Sequence, residues 1–102
     1  MEIRHPATAG TMESSDAMVS VEPGNGEIEL TITSPVLHQF GNRIRSVVLE
    51  RLKSLNVDSA VVNVVDKGAL DCTLRARVDG AVYRAADASA AGIPWGETKS
   101  DD

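Results

Sequence analysis

Cysteine is nearly absent from this 102-residue chain, where Cys72 stands alone. One thiol forms no intrachain disulfide and no multi-cysteine metal site, which fits a reducing compartment and makes the cytoplasm the expected location. Aromatic residues are as scarce, with one Phe, one Tyr and one Trp, and histidine occurs twice. No apolar run approaches the roughly 20 residues that span a bilayer. The opening Met1-Glu2-Ile3-Arg4-His5-Pro6 lacks the basic-then-apolar order of a secretory signal. The chain is therefore expected to be neither secreted nor membrane-spanning. Positive charge is short too: 10 Lys and Arg against 15 Asp and Glu give a formal net charge of −5. Binding to a phosphate backbone leans on clustered cations, so nucleic acid is not an expected partner.

What remains is the mixture of an ordinary single domain, 42% hydrophobic and 25% charged. A chain this size buries roughly 60–65% of its unfolded surface, enough for one core but not for a deep cleft walled on all sides. The charge is uneven. Residues 1–35 carry Glu2, Glu13, Asp16, Glu22, Glu27 and Glu29 against Arg4, whereas residues 36–56 carry Arg43, Arg45, Arg51 and Lys53 against Glu50. The basic stretch is either a solvated helix face or a docking surface for an acidic partner.

Residues 1–16 mix small and polar types with no sustained period and are expected to form a flexible arm. Ala17, Val19 and Val21 then alternate with Met18, Ser20 and Glu22 up to Pro23, the pattern of a strand. After Gly24-Asn25-Gly26, Ile28, Leu30 and Ile32 alternate with Glu29, Thr31 and Thr33, which predicts a hairpin. Ser34-Pro35 reads as an N-cap and first helical position. From there Leu37, Phe40, Ile44, Val47, Val48, Leu52 and Leu55 recur at three and four, predicting an amphipathic helix to Asn56. Gly41 inside it suggests close packing on the sheet.

The β-branched run Ser59–Val65 predicts a buried central strand, with a turn at Asp66-Lys67-Gly68. Leu70, Cys72, Leu74, Ala76 and Val78 pass as a strand, while Leu70, Leu74, Val78, Val82 and Ala85 fit a helix face. The alanine-rich continuation toward Gly92 favours helix, supported by Asp71/Arg75 and Arg75/Asp79 at i,i+4. The resulting expectation is an α+β fold, an open two-layer α/β sandwich of β-β-α-β-α order. It divides into the arm at 1–16, one α/β domain at 17–92 and a loosely held tail at 93–102. A right-handed crossover is expected if the second and third strands pair in parallel.

Catalytic constellations are thin. There is no phosphate-binding glycine loop, zinc spacing or Gly-x-Ser-x-Gly elbow. His5 and His38 read as surface residues, and Cys72 as a small buried apolar side chain. No catalytic or metal-ligating residue is assigned. The segment Gly10-Thr11-Met12-Glu13-Ser14-Ser15-Asp16 is different: paired hydroxyls between carboxylates, accessible to a modifying enzyme or simply a polar loop.

Ala9-Gly10-Thr11-Met12-Glu13-Ser14-Ser15-Asp16 resembles the modification motif of the gamma subunit, or acyl carrier protein, of citrate lyase. Gln39-Phe40-Gly41, the run Asp66-Lys67-Gly68-Ala69-Leu70-Asp71-Cys72-Thr73-Leu74-Arg75-Ala76-Arg77, and Pro94-Trp95 resemble the same family in order and spacing. The likeness covers about residues 7–95, and separated motifs in register are more specific than the serine motif alone. It implies a non-catalytic carrier. By motif position Ser14 would bear a phosphodiester-linked arm, 2'-(5''-phosphoribosyl)-3'-dephospho-CoA, installed by a holo-carrier synthase. The arm's thiol would carry acetyl and citryl thioesters between the alpha subunit, which exchanges the acyl group, and the beta subunit, which cleaves citryl to oxaloacetate. A mobile N-terminal segment would add reach.

Ser15 adjoins Ser14, and the assignment to Ser14 rests on the motif. Glu13 and Asp16 either orient the modifying enzyme or keep the loop solvated. Arg75 and Arg77 cannot both face a core, so at least one is a partner contact or a solvated charge. Two further readings stay open: a malonate decarboxylase-type carrier, and an unmodified module docking an acidic partner through Arg43, Arg45, Arg51 and Lys53.

Overall fold

The computed structural model describes residues 1–87; the expected helix continuation to Gly92 and the tail with Pro94-Trp95 lie outside the described residues. Four strands, β1 (Ala7–Gly10), β2 (Ala17–Pro23), β3 (Ile28–Thr33) and β4 (Ala60–Asp66), form one sheet in the order β1-β2-β4-β3. Two helices, α1 (Leu37–Ser54) and α2 (Asp71–Ala85), complete an α+β chain of order β-β-β-α-β-α. Ala17, Val19 and Val21 of β2 and Ala60, Val62 and Val64 of β4 are buried, while Ser20 and Asn63 look out on the other face. The buried rows meet Ile44, Val47, Val48 and Leu52 of α1 and Leu74, Val78, Ala81, Val82 and Ala85 of α2 in one apolar core. Both helices thus cover one face of the sheet, the expected two-layer sandwich. No helix of the described residues is long and apolar enough to cross a membrane.

The expected arm is instead partly built into the sheet. Ala7–Gly10 pairs antiparallel with Met18–Val21, Ile3 is buried, and the Arg4 and His5 amides donate to the Ala85 carbonyl. Four small residues offer too little hydrophobic contrast for a strand period, yet their size lets α2 close in. A Cβ on Gly80 would stand 3.2 Å from that of Ala9.

The expected hairpin also gives way. β4 lies between β2 and β3, antiparallel to the first and parallel to the second. The β-branched run Val61–Val65 takes the position bonded on both sides, and the half-exposed β3 becomes an edge. Gly24 makes room for the inserted strand, since a Cβ there would lie 2.5 Å from the Ala60 nitrogen.

Smaller differences follow from local hydrogen bonding. The Ser34 hydroxyl accepts from the Val36 amide but caps no helical turn, so α1 begins two residues beyond Pro35. At its start Leu37 and Phe40 remain exposed, and Gly41 faces the Leu37 side chain rather than the sheet. The helical setting of 71–85 turns Cys72 and Ala76 outward, so Cys72 is exposed rather than buried. The i,i+4 pairs expected within α2 do not form. Arg43 reaches Asp71 (3.0 Å) and Arg51 reaches Asp79 (2.6 Å), both across the helix interface.

The insertion of β4 makes Gly24 a sensitive site. Gly24→Ala is expected to lower stability by about 1–3 kcal/mol through overpacking, whereas the exposed neighbour Asn25→Ala stays within about 0.5 kcal/mol. Urea denaturation of the two variants checks this.

Candidate functional site

The sheet register places several chain reversals at one end. Ala17 sits opposite Asp66, and Thr33 opposite Val65. The 11–16 loop, the carboxyl ends of β3 and β4 and the starts of both helices therefore share that end. The carboxyl ends of strands are where open sheets with helices offer binding crevices.

The loop is tightly specified. Gly10 has a φ of 101°, and a Cβ there would meet the Ala17 carbonyl oxygen. Across the tip the Asp16 amide donates to the Glu13 carbonyl (3.1 Å), a β-turn with Ser14 and Ser15 at its centre. Ser15 has a φ of 67°, in the left-handed region that side chains other than glycine enter at a cost of about 1–2 kcal/mol. The strain is offset by a ladder onto the chain beyond β4. The Ser15 amide donates to the Lys67 carbonyl (2.7 Å), and the Lys67 amide donates to the Asp16 carbonyl (2.9 Å).

Asp16 is the centre of this arrangement. Arg77 donates from Nε to Oδ1 (2.9 Å) and from Nη2 to Oδ2 (2.8 Å). Thr11 Oγ1 donates to Oδ2 and the Ala17 amide to Oδ1, both at 2.7 Å. Arg77 above all, then Thr11 and the Ala17 amide, hold the Asp16 carboxyl well below its ordinary value of 3.8. The side chain is 15% exposed. Asp16 therefore shapes the loop from within, and Arg77 is its partner, while Arg75 is exposed. The pairing spans 61 residues, and no local spacing in the sequence announces it.

Ser14, at the tip, is exposed, and its hydroxyl has no hydrogen-bond partner among the described residues. The same holds for the Ser15 hydroxyl, although the Ser15 backbone is fixed. The motifs that stood apart in sequence now touch: Ser15 meets Lys67, and Asp16 meets Arg77. Asp66, 2% exposed, accepts from the Ser34 hydroxyl and the Gly68 and Ala69 amides, which fixes the turn into α2. Phe40 of the Gln39-Phe40-Gly41 motif and Leu70 border a shared cavity of about 350 Å³.

The other candidates are elsewhere. His5 pairs with Asp87 (2.6 Å) beyond the far end of α2, and His38 is exposed on α1. Among the described residues no serine or cysteine side chain hydrogen-bonds to a histidine, the contact a hydrolytic nucleophile uses. Nor do three or more His, Cys, Asp or Glu side chains come together there as metal ligands.

The Asp16 carboxylate contributes stability that is present above its unfolded value and lost as pH falls through its lowered folded one. The loop is therefore expected to keep its geometry through pH 3.8, where an unpaired Asp protonates. In Arg77→Ala the Asp16 titration moves up toward that value and exchange of the Ser15 amide quickens several-fold. Carboxyl-detected NMR titration and hydrogen exchange measure both.

The family model described as "ACP: Malonate decarboxylase delta subunit" matches residues 4–85. The citrate lyase acyl carrier protein of Vibrio cholerae serotype O1 (strain M66-2) is 53% identical over 98 residues, covering 95% of this chain and 98% of its own. That of Clostridium perfringens (strain 13 / Type A) is 50% identical over 103 residues, covering all of both. Among solved structures, a chain of a Pseudomonas malonate decarboxylase hetero-tetramer in complex with malonate shares the fold, with a TM-score of 0.70 at 24% identity over 80% of this chain and 84% of that one. With the serine loop and the two motifs that hold or border its end of the fold in register, the chain belongs to the citrate lyase acyl carrier protein family.

Proposed function

We propose that this protein is the acyl carrier, or gamma, subunit of a citrate lyase, and that Ser14 bears its covalent prosthetic group, 2'-(5''-phosphoribosyl)-3'-dephospho-CoA. The observation that carries this is an exposed, unpartnered hydroxyl at the tip of a loop whose backbone is pinned to Lys67 at Ser15 and Asp16; Ser15 shares the exposure, and the choice of Ser14 rests on the motif. The local chemistry suits a phosphodiester. Its formation at Ser14 breaks no hydrogen bond within the protein, and the Asp16 carboxylate of the same loop is already neutralised by Arg77. When bound, the group supplies a thiol on which acetyl and citryl cargo is held for exchange at the alpha subunit and cleavage at the beta subunit.

The chain's own residues present rather than react. Gly10 and Asp16 close the neck of the loop, and the Lys67 backbone fixes Ser15 against the sheet. A holo-carrier synthase would thus meet a preformed turn instead of having to order one. Once the group is attached, each transfer is intramolecular, at an effective concentration that reaches the mM range for a short flexible tether. The setting is a cytoplasmic complex with the alpha and beta subunits, in which this chain is not itself the catalyst.

A malonate decarboxylase-type carrier is the second reading, favoured by the family model and the shared fold. Identities near 50% to citrate lyase carriers, against 24% to the malonate decarboxylase chain, weigh toward citrate. An unmodified module for acidic partners is weakened because Arg43 and Arg51 are engaged by Asp71 and Asp79, leaving Arg45 and Lys53 of the basic stretch.

Intact-mass spectrometry after co-expression with the biosynthetic and transfer enzymes tests the assignment. One arm's mass is expected on the wild type and on Ser15→Ala, and none on Ser14→Ala. A gain that persists in Ser14→Ala overturns the site, and a bare wild-type chain beside a modified reference carrier overturns the carrier reading.

A further inference from the structure

We propose that the groove between the start of α1 and the turn into α2 is a resting seat for the distal part of the chain attached at Ser14. This inference rests on the carrier reading above. Its floor is apolar, made by Ile44, Ala69 and Leu74, and its lips are Phe40 and Leu70. Leu70 is 71% exposed and Phe40, the chain's one phenylalanine, is 41% exposed. A single exposed apolar residue needs no explanation. Three that line one cavity of about 350 Å³, Phe40, Leu70 and the exposed Val36, within the range of small-ligand sites, form a surface with something to cover.

Continuity with the anchor identifies the occupant. One wall of the groove is Asp66, Gly68 and Ala69. Lys67, between Asp66 and Gly68 in the chain, holds the Ser15 amide and the Asp16 carbonyl through its backbone. Ser14 is thus one residue from a segment hydrogen-bonded to the groove wall, and a chain leaving its hydroxyl starts beside the groove. The terminal portion of a coenzyme A-type arm is an extended run of methylenes and amides ending in a thiol. Its methylenes match the floor, and the Arg43–Asp71 pair on the rim offers a donor and an acceptor to its amides. The other cavities fit less well. One lies along the outer strand β3 and α1, lined by His38, Gln39, Asn42 and Arg45, and another lies at Met1 and Asn56, at the opposite end of the fold.

The test uses the full chain carrying Cys72→Ser, which leaves the arm as the sole thiol, with loading at Ser14 first verified by intact mass. Comparing amide spectra of bare and loaded protein, shifts are expected at Phe40, Gly68, Ala69, Leu70 and Leu74 as well as around the serine. Alkylation of the arm thiol by iodoacetamide is expected to run several-fold slower than that of free coenzyme A, and Leu70→Asp, at an exposed position that leaves the fold intact, restores the free rate. Loaded protein whose shifts stay within residues 11–18, or whose thiol reacts at the free rate, overturns the groove alone and leaves this surface to a partner subunit. A chain that takes no arm at Ser14 overturns both readings.

Discussion

The serine end of this protein hangs on β4 lying between β2 and β3. The insertion carries Asp66 to the core edge, where a carboxylate is tolerated because three donors satisfy it. Those donors come from Ser34 ahead of α1 and from the two residues that lead toward α2, so one side chain sets the approach to both helices. The next residue, Lys67, extends the ladder past the strand's end and grips the loop through its backbone. A hairpin of β2 with β3, the pairing that the intervening glycines suggest, would leave the loop without that support.

Charge performs a second, weaker ordering. Arg43 pairs with Asp71 and Arg51 with Asp79, each at a separation of 28 residues. An equal offset requires α1 and α2 to run in the same direction, as two helices following parallel strands must. Partly exposed pairs of this kind contribute about 0–1 kcal/mol each, so they set register more than they stabilise. They also redefine the basic stretch of α1: much of it faces a neighbouring helix.

The helices and the three longer strands were legible because their apolar residues keep a period of about 3.6 or 2. β1 was not, because Ala7-Thr8-Ala9-Gly10 has almost no hydrophobic contrast, and strand order was not, because pairing partners lie far apart in the chain. Cys72 is exposed although a lone cysteine is by type among the most buried residues, because the helix turns it away from the face that buries Leu74 and Val78. Ser14 stood out through its motif. What holds the loop around it, Asp16 against Arg77 and Ser15 against Lys67, depends on tertiary closeness that no spacing encodes.

The closed neck at Gly10 and Ala17 bears on how far a carrier of this design can deliver. With β1 paired to β2 and the loop tied to α2, polypeptide slack does not extend the reach of a group on Ser14. Such a group sweeps a sphere whose centre is fixed to the body and whose radius is its own length. Any two sites it serves must both fall inside that sphere, or the whole carrier must swivel between them.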